Sequence, residues 1–69
     1  MHRYRIDIQW SEEDAVWIAR VPEVPMIAAH GDTPEEAARE VTIALDAAID
    51  AMLEAGIAVP VPGAAAHAA

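Results

Sequence analysis

Asp7 is the residue whose type and position come nearest to those of a catalytic carboxylate. It falls in the middle of an alternating segment, residues 3–10, where a metal-dependent nuclease often holds an acidic side chain. Two-metal chemistry needs several carboxylates that converge, and the other acidic residues fall in a turn, in loops and on a helix. The sequence therefore favours an ion pair of Asp7 with Arg5 or Arg20, and a residual nuclease is the less favoured hypothesis.

His30 and Ser11 are the other candidates for acid–base or nucleophilic chemistry. His30 precedes Gly31 at a strand-to-helix turn, where it is either a general base or pH switch, or a loop residue bonded to the backbone. Ser11 is the only serine, no histidine lies near it in sequence, and the chain has no cysteine. The three glycines are isolated, so there is no glycine-rich phosphate loop. These observations predict a protein that is not an enzyme and uses no cofactor or metal.

The charge of the chain limits the class of partner. Twelve acidic residues face four arginines and no lysine, which gives a formal net charge of −8. Phosphate backbones repel such a chain, so we expect no direct nucleic-acid binding. The acidity suits either a basic protein partner or simple solubility. Asp46, Asp50 and Glu54, spaced by four, are likewise either a solvated helix face or a surface for a basic partner.

The size of the chain favours self-association. Sixty-nine residues bury only a small core, and without cysteine no disulfide reinforces it. The three histidines are too scattered for a structural zinc site. We therefore predict a homo-oligomer. No apolar stretch approaches the roughly 20 residues that span a bilayer, and the start does not resemble a signal peptide, so we expect a cytoplasmic protein without membrane contact.

Two segments predict the hairpin that would position these groups. Residues 3–10 alternate between apolar and polar, residues 15–21 are rich in β-formers, and the polar residues 11–14 form the loop. The pairs that follow from this loop are Trp10–Ala15, Ile8–Trp17, Ile6–Ala19 and Tyr4–Val21. The large residues of the first strand then share one face with apolar residues of the second.

The opposite face of the hairpin is mixed rather than polar. Val16, Ile18 and Arg20 lie on it, and exposed apolar side chains that are grouped are suited to contact with another molecule. Ile43 falls among charged residues of the helix, where a single exposed isoleucine needs no explanation but also suits a subunit contact. We predict Val16, Ile18, Arg20 and Ile43 as oligomer contacts.

The clearest local signal begins a helix. Thr33 is the predicted N-cap, Pro34 the first helical residue, and Glu36 the residue that completes a capping box. The helix runs to about Ala55 and stops at Gly56, a left-handed C-cap. The apolar arc that should cover the Tyr4, Ile6, Ile8 and Trp17 face of the sheet consists of Ala37, Val41, Ala44, Leu45, Ala48, Ile49 and Met52.

The remaining segments complete the fold class. Residues 26–30 predict a third strand after a stiff corner that contains Pro22 and Pro25. Residues 57–62 are extended and predict a short fourth edge strand or a strap. The sequence thus predicts an α+β domain over residues 1–62, with a three-stranded antiparallel sheet packed on one long helix in the order β-β-β-α-β. Residues 63–69 are predicted to be a flexible tail.

Taken in order, residues 4–62 resemble the HicB family of antitoxins. The specific part is Val21-Pro22-Glu23-Val24-Pro25 followed by Gly31-Asp32-Thr33-Pro34-Glu35-Glu36-Ala37. The resemblance implies a truncated ribonuclease-H-like fold without a nuclease site, and assembly into dimers or tetramers. It also implies a HicA-like toxin partner, a small basic RNA-cleaving protein whose surface the antitoxin blocks.

Two features depart from the family pattern. Met26 and Ile27 follow Pro25, where the family often has a glycine. Many members also append a DNA-binding domain, whereas only seven residues follow Pro62, so direct DNA binding by this chain is not expected.

The leading hypothesis is an antitoxin that binds and occludes a HicA-type toxin. Glu23 and Asp32 would steer the basic partner toward the chain. Val24, Met26 and Ile27 would supply the buried centre of the interface. The alternative is an orphan oligomeric scaffold or a small-molecule-sensing domain with no toxin partner.

Overall fold

The computed structural model describes residues 3–61 of the chain, so the predicted tail and Pro62 lie outside the described residues. Its strands are β1 (Asp7–Ser11), β2 (Val16–Arg20) and β3 (Ala28–Gly31), which form one antiparallel sheet in the order β1-β2-β3. A single helix, α1 (Pro34–Ala55), packs on one face of this sheet. The predicted α+β architecture, a three-stranded antiparallel sheet on one long helix, is confirmed.

The register between β1 and β2 differs from the predicted one by two residues. Trp10 pairs with Trp17 rather than with Ala15, and Ile8 pairs with Ala19. The turn covers residues 12–15, and the Ala15 N–H closes it by donating to the Ser11 carbonyl at 2.8 Å. Because side chains alternate with a period of two, a shift of two leaves each of them on its predicted face. The predicted pairs are wrong, but the predicted faces hold.

Both ends of α1 lie where the local signals predict them. The Glu36 N–H donates to Thr33 Oγ1 at 3.1 Å, which satisfies one of the free donors of the first turn. Gly56 has a φ of 72° and donates its N–H to the Leu53 carbonyl at 3.3 Å. The helix therefore begins and ends through contacts within a few residues of each terminus.

The core lies between α1 and the sheet. Its buried side chains are Tyr4, Ala19, Val21, Val24, Ala37, Val41 and Leu45. Gly31 permits the close approach of β3 to the start of α1, because a Cβ there would lie 2.6 Å from the backbone nitrogen of Ala37. The absence of a side chain at this one position thus sets how tightly the helix packs on the third strand.

The β1 side of the same sheet face is the side that α1 covers least. α1 makes most of its contacts with β3 and fewest with β1, so Ile8 is 36% exposed and Trp10 is 43% exposed. A helix with its side chains is about 10–12 Å wide and strands lie about 4.8 Å apart, so one helix covers about two strands. The prediction that the helix covers Ile8 is therefore wrong.

Residues 57–61 form a strap against the core. They contain no strand, so the predicted fourth edge strand is not found among residues 3–61. Val59 packs against the core, and the Tyr4 hydroxyl donates a hydrogen bond to the Pro60 carbonyl. Pro60 has no N–H to give to a sheet ladder, which explains why this segment is held by a side chain instead.

Candidate partner-binding surfaces

The sheet face opposite α1 contains a shallow concavity of about 430 Å³. Val16, Ile18 and Arg20 of β2 line it together with Ala28 and His30 of the neighbouring strand. Ile18 lies opposite His30, and Arg20 lies opposite Ala28, across the β2–β3 pair. Three of the four residues predicted as oligomer contacts are therefore brought together on one open face.

Ile43 does not belong to this face. Its side chain is 58% exposed on α1, and α1 packs on the other side of the sheet. An interface on the open face does not include Ile43 of the same protomer. A contact through Ile43 stays a separate prediction.

Asp7 forms an exposed ion pair rather than part of a metal centre. The Arg5 Nε lies 2.7 Å from Asp7 Oδ1, so the predicted pairing with Arg5 is confirmed. The side chains of the two residues are 62% and 45% exposed, respectively. Between residues 3 and 61, no three His, Cys, Asp or Glu side chains gather closely enough to hold a metal ion.

The corner between β2 and β3 is held by two consecutive turns. The Val24 N–H donates to the Val21 carbonyl at 3.0 Å, and the Ile27 N–H donates to the Val24 carbonyl at 2.9 Å. These turns direct Val24 into the core, where it is 2% exposed. Val24 is one of the predicted partner contacts, but its side chain lies in the core and supports the corner from there.

Three of the other four predicted partner contacts lie at the two ends of β3. Met26 is 78% exposed and Ile27 is half-buried, both just before the strand. Glu23 is half-buried and accepts the Arg5 N–H at 3.4 Å. Asp32 follows the strand and is exposed. Met26, Ile27 and Asp32 therefore flank β3, whereas the Glu23 carboxylate lies against the segment before β1, so the four residues do not form one compact patch.

A groove of about 510 Å³ runs between β3 and α1. Its strand side contains the small residues Ala28, Ala29 and Gly31 together with His30. Its helix side contains Glu36, Glu40 and Ala44, and Asp32 lies at one end. Sequence reasoning missed this groove, because a groove of this kind is visible only once the edge strand of the sheet is known.

Sequence reasoning also missed an aromatic surface, which lies at the β1 end of the sheet face on which α1 packs. We call Ile8, Trp10 and Trp17 the β1 shelf. The rings of Trp10 and Trp17 have centroids 5.5 Å apart and an interplanar angle of 65°, which is an edge-to-face contact. The number of predicted helices and strands would have revealed this shelf, because one helix is too narrow to cover three strands completely.

The helix carries half of the acidic residues that the structure describes. It has one arginine, Arg39, and six acidic residues: Glu35, Glu36, Glu40, Asp46, Asp50 and Glu54. This charge lies on the helix side of the molecule, whereas Arg5 and Arg20 belong to the β1–β2 region. Neither α1 nor any other part of residues 3–61 offers a helix that is long and apolar enough to cross a membrane.

Comparison with known proteins gives one family match. The family model described as "HicB_like antitoxin of bacterial toxin-antitoxin system" matches residues 3–69, which is nearly the whole chain. No curated protein matches the chain significantly, and no solved structure does so either.

Proposed function

We propose that this chain, which belongs to the HicB-like antitoxin family of bacterial toxin–antitoxin systems, binds a HicA-type toxin and covers its RNA-cleaving surface. The family match over residues 3–69 is the observation that carries the proposal. The chain then acts by binding and not as an enzyme, and it does not contact nucleic acid directly. Because the toxin would cleave cellular RNA, the complex forms in the cytoplasm.

The corner before β3 supplies the centre of the proposed interface. Met26 is 78% exposed and lies next to the half-buried Ile27, so an apolar side chain is already presented to solvent. Glu23 within the corner and Asp32 beyond the other end of β3 carry negative charge, which would raise the association rate with a basic protein. Val24 holds the corner in place from the core.

Co-expression with a HicA-type toxin encoded beside this chain tests the proposal. We expect the chain to restore growth and to co-purify with the toxin. Met26→Asp places a charge at the centre of the interface and is expected to weaken the Kd at least tenfold, or about 1.4 kcal/mol. Leu53→Asp is the matched control, because Leu53 is 64% exposed on α1, and its Kd should change less than twofold.

Continued toxicity with no co-purification would reject the antitoxin role. If a metabolite then raised the Tm of the chain, the alternative of an orphan small-molecule-sensing domain would replace it. Equal weakening by both variants would keep the antitoxin role but move the interface away from the corner before β3.

We also propose that the chain forms a dimer or tetramer through the open sheet face. Copies that each carry a net charge of −8 repel one another, and the concavity on the open face is lined by one acidic residue, Asp14, and by Arg20. Val16 and Ile18 provide apolar surface there, and Arg20 adds a positive charge. Light scattering should give a mass above 7.4 kDa, and Ile18→Asp should lower it while Leu53→Asp, on the exposed side of α1, does not. A wild-type monomer at all concentrations would reject this assembly.

A further inference from the structure

We infer that the free edge of β3 receives an extended basic segment of the protein partner. The segment adds as a fourth strand beside Ala28–Gly31 and places alternate Lys or Arg side chains against Glu36 and Glu40. This inference rests on the proposed function, since it states which part of the toxin the antitoxin holds.

The backbone of β3 is the first reason. Within residues 3–61, β3 pairs with β2 alone, so its other side is a sheet edge. An edge strand directs about half of its N–H and C=O groups away from its neighbour, and these groups can bind another strand. Addition of a strand to such an edge is a general mode of peptide recognition, in which main-chain hydrogen bonds provide affinity.

The small side chains of the groove are the second reason. Ala28, Ala29 and Gly31 line the strand side, and Ala44 lines the helix side beyond Glu36 and Glu40. His30 also lines the strand side, but the side chains of the three alanines and Gly31 are no larger than a methyl group and leave room for a backbone to approach the edge. The groove volume of about 510 Å³ lies directly beside that edge.

The spacing of the acidic side chains is the third reason, and it defines the sequence of the added strand. Glu36 and Glu40 both line the groove and are separated by four residues, which is about 6 Å along a helix. Side chains on one face of a strand repeat every two residues, which is about 6.8 Å. A strand with Lys or Arg at alternate positions therefore matches both glutamates, and Asp32 extends the acidic wall by one more group.

Charge excludes a second copy of this chain as the occupant. Pairing of β3 with β3 of another copy would bring Asp32, Glu36 and Glu40 of both chains to one seam. Like charges across such a seam are destabilising, whereas a basic strand is attracted to it. The β1 edge has no comparable acidic wall, because α1 packs away from it.

A synthetic peptide tests the inference on the full chain. The probe is a capped heptapeptide, Thr-Lys-Val-Lys-Val-Lys-Thr, titrated by calorimetry and by amide NMR shifts. We expect shifts at the amides of Ala28–Gly31. Two further peptides carry N-methyl groups on either the lysine or the valine amides, and only one of these should lose binding, because one set of amides faces β3.

Two charge variants separate this site from general attraction to an acidic protein. The variant E36Q/E40Q is expected to raise the Kd at least tenfold, and glutamine at position 36 leaves the N–H bonded to Thr33 intact. The variant D50N/E54Q changes the net charge equally on the same helix and should alter the Kd less than twofold. Equal losses in both variants, equal binding of both methylated peptides, or shifts confined to other residues would overturn the inference.

The toxin itself separates failure of this inference from failure of the proposed function. If E36Q/E40Q binds the toxin as tightly as the wild-type chain does, the β3 edge is not the site, but the antitoxin role stands. If the wild-type chain binds the peptide at β3 but does not bind the toxin, the antitoxin role fails while the edge remains a site for basic strands.

Discussion

The two edges of the sheet differ because one helix covers three strands unequally. At β3 the helix lies close, and the edge becomes one wall of a groove whose other wall contains Glu36 and Glu40. At β1 the helix makes its fewest contacts, and Trp10 is left 43% exposed on the β1 shelf. The same element thus creates a charged groove on one side and an apolar surface on the other.

This difference shows how a small chain obtains two kinds of surface from one core. The buried helix residues Ala37, Val41 and Leu45 repeat every four positions, which is a narrow stripe. A narrow stripe fixes the helix over part of the sheet and leaves the rest of that face available. Four substitutions test this unequal cover, beginning with the largest expected effect.

Leu45→Ala should destabilise the fold most. Leu45 is completely buried, so its truncation leaves a cavity and is expected to lower the free energy of unfolding by about 2–5 kcal/mol. Leu53→Ala on the same helix removes the same atoms from a side chain that is 64% exposed. It should change the free energy of unfolding by less than about 0.5 kcal/mol. Urea unfolding measures both. Similar costs would mean that the helix does not bury the stripe described here.

Gly31→Ala should have the next largest effect. Its new Cβ would lie 2.6 Å from the Ala37 nitrogen, so β3 and α1 must separate, at about 1–3 kcal/mol. Gly56→Ala is the comparison, because Gly56 has open space around it and only a positive φ, which costs about 1–2 kcal/mol. Thermal unfolding measures both variants. Loss of peptide binding in Gly31→Ala alone would link this close packing to the shape of the groove.

Trp10→Ala should cost less than Leu45→Ala although it removes more atoms. The edge-to-face contact with Trp17 contributes about 0.5–1.5 kcal/mol, and the ring of Trp10 is only partly removed from water. Unfolding should be followed at two protein concentrations. A cost as large as that of Leu45, rising with concentration, would mean that another copy covers the β1 shelf.

Asp7→Asn should have the smallest effect. The ion pair with Arg5 is largely exposed, and pairs of this kind contribute about 0–1 kcal/mol. Arg5→Gln and the double variant complete a cycle, and chemical denaturation at low and high salt measures the coupling. A coupling above about 1 kcal/mol would show that a partner or a second copy shields this pair from water.

The helix could be predicted almost completely because its boundaries depend on neighbouring residues. Thr33 and Gly56 act through bonds to residues three positions away, so the sequence contains all the information that fixes the ends. The faces of the strands could be predicted for a similar reason, since alternation is local. The register could not, because a shift of two residues preserves alternation and the left-handed Ala15 has no sequence signal.

The candidate surfaces were less predictable because they depend on packing between distant segments. Val24 reads as a contact residue in a proline-rich corner, yet two turns direct it into the core. Trp10 is predicted to be a core residue by alternation, yet it is 43% exposed because α1 makes its fewest contacts with β1. Val16, Ile18 and Arg20 could be grouped correctly, because their common face follows from the strand period alone.

The hydrogen bond between Tyr4 and Pro60 has a consequence for how the chain can be rebuilt. Tyr4 lies before β1, and the 12–15 turn follows β1. The bond therefore joins the first and last parts of the described chain at the end of β1 that is opposite the turn. The two ends of the described chain are therefore in contact. A circularly permuted gene that opens within the turn and links residue 61 to residue 3 preserves the order of every other element, and a reporter fused to the new termini leaves the molecule at the turn.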